Sequence, residues 1–105
     1  MAQGRDAPAG AVQGDGSVDL RGVRIDTTAP ESSDIIRRAL THGWYEAAES
    51  EAVDLMLREG DVVVEFGAGC GFISAYVALS GKARRVHAAE ANPNLLPLIA
   101  RTLAL

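Results

Sequence analysis

Between residues 17 and 26 apolar and polar side chains alternate, with Val18, Leu20, Val23 and Ile25 interleaved with Asp19, Arg24 and Asp26, and Arg21-Gly22 placed to supply a turn. A period of two is that of a half-buried strand pair, so this stretch predicts a β-hairpin that covers an edge or a lid. The period then lengthens. Ile35, Ile36, Ala39 and Leu40 share one face of a helix that Ser32 or Ser33 caps, with Glu31 and Asp34 near its positive end and Gly43 closing it. A second helix, from Tyr45 or Glu46 to Glu59, carries Ala48, Ala52, Leu55, Met56 and Glu59 at helical spacing and ends at Gly60. Residues 61–66 hold Val62, Val63, Val64 and Phe66, an apolar run too short for a helix, which predicts a strand buried on both faces in the middle of a parallel sheet. The next helix, 72–79, is apolar on nearly every side, as expected when it packs between a sheet and other elements. A second strand follows at 84–89. Asn92-Pro93 then starts a helix whose buried stripe is Leu95, Leu98, Ile99, Thr102 and Leu103, with Pro97 early enough to be tolerated or to kink it slightly.

This pattern divides the chain into a flexible tail over 1–16, a hairpin and two helices over 17–59, and a strand–helix–strand–helix unit over 60–105. The tail has Val12 as its only large aliphatic residue after Met1, too little burial to offset the entropy of ordering. Without it, 105 residues leave a remainder that is short for an independent core.

The chain is 48% hydrophobic and 23% charged with a net charge of -4, a soluble protein's composition that does not point to nucleic acid. Its basic clusters, Arg37-Arg38 and residues 82–85, are too short to track phosphates. No apolar run reaches membrane-spanning length and residues 1–16 lack a signal-peptide core, so no membrane partner is expected and the cytoplasm is the expected compartment. A single cysteine, Cys70, allows no internal disulfide, and isolated His42 and His87 suggest neither a metal site nor a triad.

Candidate chemistry begins where the strand at 61–66 runs into Gly67-Ala68-Gly69-Cys70-Gly71. Glycines there let the backbone turn sharply and let a nucleotide-like ligand sit against the main chain where the next helix begins, although a simple chain reversal uses glycine too. The second strand ends in Glu90, roughly 20 residues downstream, the distance at which an acid meets ribose hydroxyls in nucleotide-binding α/β units. The spacing is E-x-G-x-G-x-G, unlike the G-x-G-x-x-G of dinucleotide enzymes.

Glu65-Phe66-Gly67-Ala68-Gly69-Cys70-Gly71 resembles the first motif of class I S-adenosylmethionine-dependent methyltransferases, and Glu90-Ala91-Asn92-Pro93 looks like the acidic end of their second strand. With Gly60-Asp61, Gly71-Phe72-Ile73-Ser74 and the upstream Tyr45-Glu46 and Glu49, the chain is similar to the FkbM family. The resemblance covers about residues 18–105 and is specific within 61–93. It implies an incomplete Rossmann-like α/β fold, the first two strands of a seven-stranded sheet, with S-adenosylmethionine as cofactor and a hydroxyl of a sugar or natural product as methyl acceptor.

By that resemblance Glu65, Gly67, Ala68, Gly69, Gly71, Glu90, Ala91 and Asn92 bind the cofactor. Gly67 and Gly69 approach its methionine part, Gly71 lets the helix start pack on the strand, Glu65 lies near the amino-acid moiety, and Glu90 accepts from the ribose hydroxyls. Asn92 is better explained as a helix cap. Tyr45, Glu46 and Glu49 reach the cofactor mouth as in the family, or the glutamates are carboxylates favoured at an exposed helix N-terminus. Cys70, with no base beside it in sequence, reads as structural. The catalytic residues follow the second strand in the family and are unknown here. The pattern stops abruptly at Leu105, so a cofactor-binding N-terminal fragment is expected, inactive alone and self-associating through an open strand edge. The alternatives are a truncated, non-catalytic gene product or interaction module, and a fragment of a nucleotide-dependent oxidoreductase.

Overall fold

The alternating residues at the start of the chain form an antiparallel sheet in the computed structural model, which describes residues 9–28, 30 and 32–104. Strands β1 (Ala11–Val12), β2 (Val18–Leu20) and β3 (Val23–Ile25) lie in that order, with Val18 opposite Ile25 and Leu20 opposite Val23. The two residues between β2 and β3, Arg21 and Gly22, have φ of 49° and 85°, the paired left-handed conformations of a tight type I′ hairpin. Arginine is a costly choice there. Its guanidinium donates to the Gly43 carbonyl at 3.1 Å and so ties the hairpin to the segment after the first helix.

Helix α1 (Asp34–Thr41) begins where the Ser33 hydroxyl accepts from the Ile36 amide at 3.2 Å, and it ends before Gly43 at φ 78°. Helix α2 (Ala47–Met56) follows, then β4 (Val62–Phe66), α3 (Phe72–Leu79) and β5 (Arg85–Ala89). β4 and β5 pair in parallel, Val62 opposite Arg85 through Phe66 opposite Ala89. Asn92 caps a 3-10 turn (Pro93–Leu95), its side chain accepting from the Asn94 amide at 3.1 Å, and α4 (Leu96–Leu103) continues from it.

The described residues thus form a mixed α/β structure of two small sheets and four helices. One core joins them: Leu20, Val23 and Ile25 of the hairpin, Leu40 of α1, Phe72, Ala75 and Val77 of α3, and Leu98 of α4. Helix α3 touches β3, β4, β5, α2 and α4, so it is the shared wall between the two sheets.

Four expectations from the sequence are corrected. β4 is not buried on both faces: Val63 and Glu65 turn toward α3, while Val62, Val64 and Phe66 stand 47%, 53% and 84% exposed. Among the described residues only one face of this sheet carries a helix layer. The α2 stripe is turned outward as well, with Ala48, Ala52, Leu55, Met56 and Glu59 exposed and Ser50 and Val53 facing inward. Ile35 of α1 and Leu103 of the expected α4 stripe are likewise exposed. Finally, ordered structure begins before Ser17, because Ala11 and Val12 pair with Asp19 and Val18; residues 1–8 of the expected tail, and Glu31, lie outside the described residues. Among the described residues no helix is long and apolar enough to cross a membrane.

Candidate functional site

At the end of β4 the chain passes through Gly67, Gly69 and Gly71, all at positive φ. The turn is fastened to β5, because the amides of Gly67 and Ala68 both donate to the Ala89 carbonyl, at 2.8 and 3.1 Å. The next residue, Glu90, completes the fastening from its side chain. The Gly69 amide donates to Glu90 Oε1 at 2.9 Å and the Asn92 amide to Oε2 at 2.8 Å. These two backbone donors, Asn92 first, hold the Glu90 carboxyl below its ordinary pKa. A carboxylate offers about four lone-pair sites, so each oxygen keeps one for a further donor.

Gly71 faces a different neighbour from the one expected. A Cβ there would touch Ile99 Cγ2 and Thr102 Cβ of α4 at 3.4 Å, an ordinary contact and not one with the strand, so it is the φ of 86° that calls for glycine. A Cβ on Gly69 would lie 3.2 Å from the Tyr45 hydroxyl.

Tyr45 therefore belongs to this turn, although Cys70, which it meets, lies 25 positions further along the chain. Cys70 Sγ donates to the Tyr45 oxygen at 3.3 Å, and the Tyr45 ring sits edge-on to Phe72, centroids 5.9 Å apart. Burial pushes the phenol pKa up, with the Cys70 sulfur adding to it, so Tyr45 stays neutral. Burial also raises the Cys70 thiol and holds it protonated.

Glu65 turns under the turn and accepts from the Ser74 hydroxyl at 2.7 Å; burial raises its pKa and the Ser74 bond partly opposes that. Glu46 precedes α2 in a left-handed conformation, φ 45° and ψ 35°, and makes no capping bond. Burial, then the charges of Glu65 and Glu49, push its carboxyl up to about 7. Among the described residues its Oε2 finds no hydrogen-bond partner.

The structure thus brings Tyr45, Glu46, Glu65, Gly67, Gly69 and Glu90 to the carboxyl ends of β4 and β5. Glu49 stands further out on the first turn of α2 and acts on Glu46 through charge alone. Asn92 is a cap, as its position before Pro93 suggests; Ala68 is fully buried and Ala91 exposed. A cleft of about 660 Å³ lies between α1 and the start of α2, lined by Ala39 and residues 44–49, and shares Tyr45 and Glu46 with this site. Sequence reasoning passed over two of the residues here, Trp44 at its rim, half exposed and beside the His42 ring, and Ser74 as the partner of Glu65. A lone tryptophan directly before Tyr45-Glu46 was a usable signal for the first; nothing local marked the second. Among the described residues no group of three His, Cys, Asp or Glu is placed to hold a metal ion.

Chemically, this is a ring of carboxylates around a left-handed glycine turn. It can accept hydrogen bonds from neighbouring hydroxyls at Glu90 and attract positive charge at Glu46 and Glu65. Comparison with protein-family models, with curated proteins and with solved structures returned no match.

Proposed function

We propose that residues 60–104 are the cofactor-binding part of a class I S-adenosylmethionine-dependent methyltransferase of the FkbM kind, with β4, α3 and β5 as a Rossmann-like unit and a hydroxyl of a sugar or natural product as acceptor. The observation that carries this reading is the sign of the charge. Glu90 stays ionised at the turn, burial leaves Glu46 and Glu65 short of a positive partner, and no guanidinium or ammonium is among the groups that shift any of the three. S-adenosylmethionine carries a sulfonium and an ammonium, which such a site attracts, whereas the pyrophosphate of a dinucleotide is repelled by it. The free lone pairs on Glu90 match the two ribose hydroxyls. When bound, the cofactor supplies an electrophilic methyl group; this chain's residues hold and orient it.

Isothermal titration of the chain with S-adenosylhomocysteine and, separately, with NADH tests the reading. Binding of the first without the second is the expected result. Tighter binding of NADH, or no binding of either, overturns it.

A further inference from the structure

β4 has a neighbour on one edge. The Asp61 carbonyl accepts from the Arg84 amide at 2.7 Å, and the Gly67 amide donates to the Ala89 carbonyl at 2.8 Å. Along a strand the N–H and C=O of one residue point to the same side and successive residues alternate, so the odd-numbered residues from 61 to 67 address β5. Val62, Val64 and Phe66 therefore direct their backbone groups at the other edge, where among the described residues no strand pairs. Edge strands are ordinarily guarded by lysine, proline or a bulge. This one has none, and its single charged side chain, Glu65, is turned away to Ser74.

We propose that β4 is a self-pairing edge, through which two copies of this chain associate antiparallel about a two-fold axis at Val64. The register is self-complementary. Val64 faces the partner's Val64 and Val62 faces the partner's Phe66, and each such pair exchanges both backbone bonds. An axis perpendicular to the sheet keeps its two faces distinct, so the Phe66 ring packs on the partner's Val62 on the exposed face. On the other face the same register sets Val63 opposite the partner's Glu65, a side chain already held by the Ser74 hydroxyl of its own chain.

The surface is of the right size. Val62, Val64 and Phe66, with Met56 of α2 at 74% exposure in the groove beside Asp61 and Val63, are all large and open. At roughly 100 Å² apiece they supply about half of the about 800 Å² per partner that a stable interface needs. Antiparallel pairing sends the two glycine turns to opposite ends of the joined sheet, so neither is covered, and the inference is independent of what those turns bind.

Light scattering on the full chain after size exclusion should give the mass of two chains. Val64→Pro, which removes the edge N–H, and Val64→Lys, which places a charge on an exposed position, should each give one chain with an unchanged circular dichroism spectrum. A monomeric wild type overturns the proposal, as does a dimer that survives both substitutions. Oligomers that grow without limit overturn the closed two-fold pairing, and a dimer dissociated by Leu55→Lys but by neither Val64 variant assigns the contact to α2 instead.

Discussion

The Gly69 amide and the Glu90 carboxylate, 21 residues apart in the chain, meet at 2.9 Å and join the ends of two parallel strands through a side chain. Glu90 thus shapes the turn and presents its remaining lone pairs outward. Replacing it with alanine should weaken S-adenosylhomocysteine binding by tenfold or more, the usual penalty for losing a charged acceptor. Glu90→Gln, which keeps one acceptor oxygen, should fall between. Calorimetry on both variants checks this, and unchanged affinity in Glu90→Ala would remove the residue from the site.

Gly71→Ala tests the backbone. At φ 86° a side chain is strained by about 1–2 kcal/mol, although its Cβ would make only ordinary contact with Ile99 and Thr102. At about 4–8 °C per kcal/mol for a chain of this size, the melting temperature should drop by roughly 5–15 °C. A thermal melt within a degree of wild type would mean that the turn relaxes freely. Gly69→Val, with φ 60° and the Tyr45 hydroxyl in the way, should lose binding and stability together.

Glu46 predicts a pH dependence of the less usual sign. Its carboxyl is raised from an ordinary 4.5 to about 7 by burial and by Glu65 and Glu49, with neutral Tyr45 and Cys70 also beside it. Between those values the folded state binds more protons than the unfolded chain, so stability falls as pH rises through the window and is level above it. Glu46→Gln should flatten the melting temperature between pH 5 and 7 and exceed wild type at pH 8. A wild-type curve that rises over that interval, and a variant that tracks it, would count against the burial of this carboxyl.

Two phenylalanines should behave oppositely. Phe72 is fully buried between Tyr45 and Tyr76, and Phe72→Ala should cost about 3–5 kcal/mol, a large part of what a small domain has. Phe66 is 84% exposed, and Phe66→Ala should change monomer stability by less than about 0.5 kcal/mol. Urea unfolding at low concentration reads both.

The legible parts of this chain were those where one local rule decides. Alternation at Val18, Leu20, Val23 and Ile25 specified the hairpin, the Ser32-Ser33 pair and Asn92 marked helix starts, with Ser33 the one that caps, and glycines marked the turn. Helical spacing, however, says which residues share a face and not which face meets the core. On α2 the more apolar-looking set, with Leu55 and Met56, lost to Ser50 and Val53 because the latter meet α3. A run of three valines carries no information about sides at all, so the exposure of Val62 and Val64 had no sequence mark. The meeting of Tyr45 with Cys70 and of Glu65 with Ser74 depends on tertiary placement alone.

Helix α3 lies against β3, an element completed roughly fifty residues earlier, as well as against the strands that flank it. Before Phe72 and Val77 arrive the hairpin's Leu20, Val23 and Ile25 have only Leu40 of α1 to pack on, and closing that long loop must precede the contacts that reward it. Folding should be a single late event, with the N-terminal strands acquiring amide protection from hydrogen exchange at the same time as α3 and not before it.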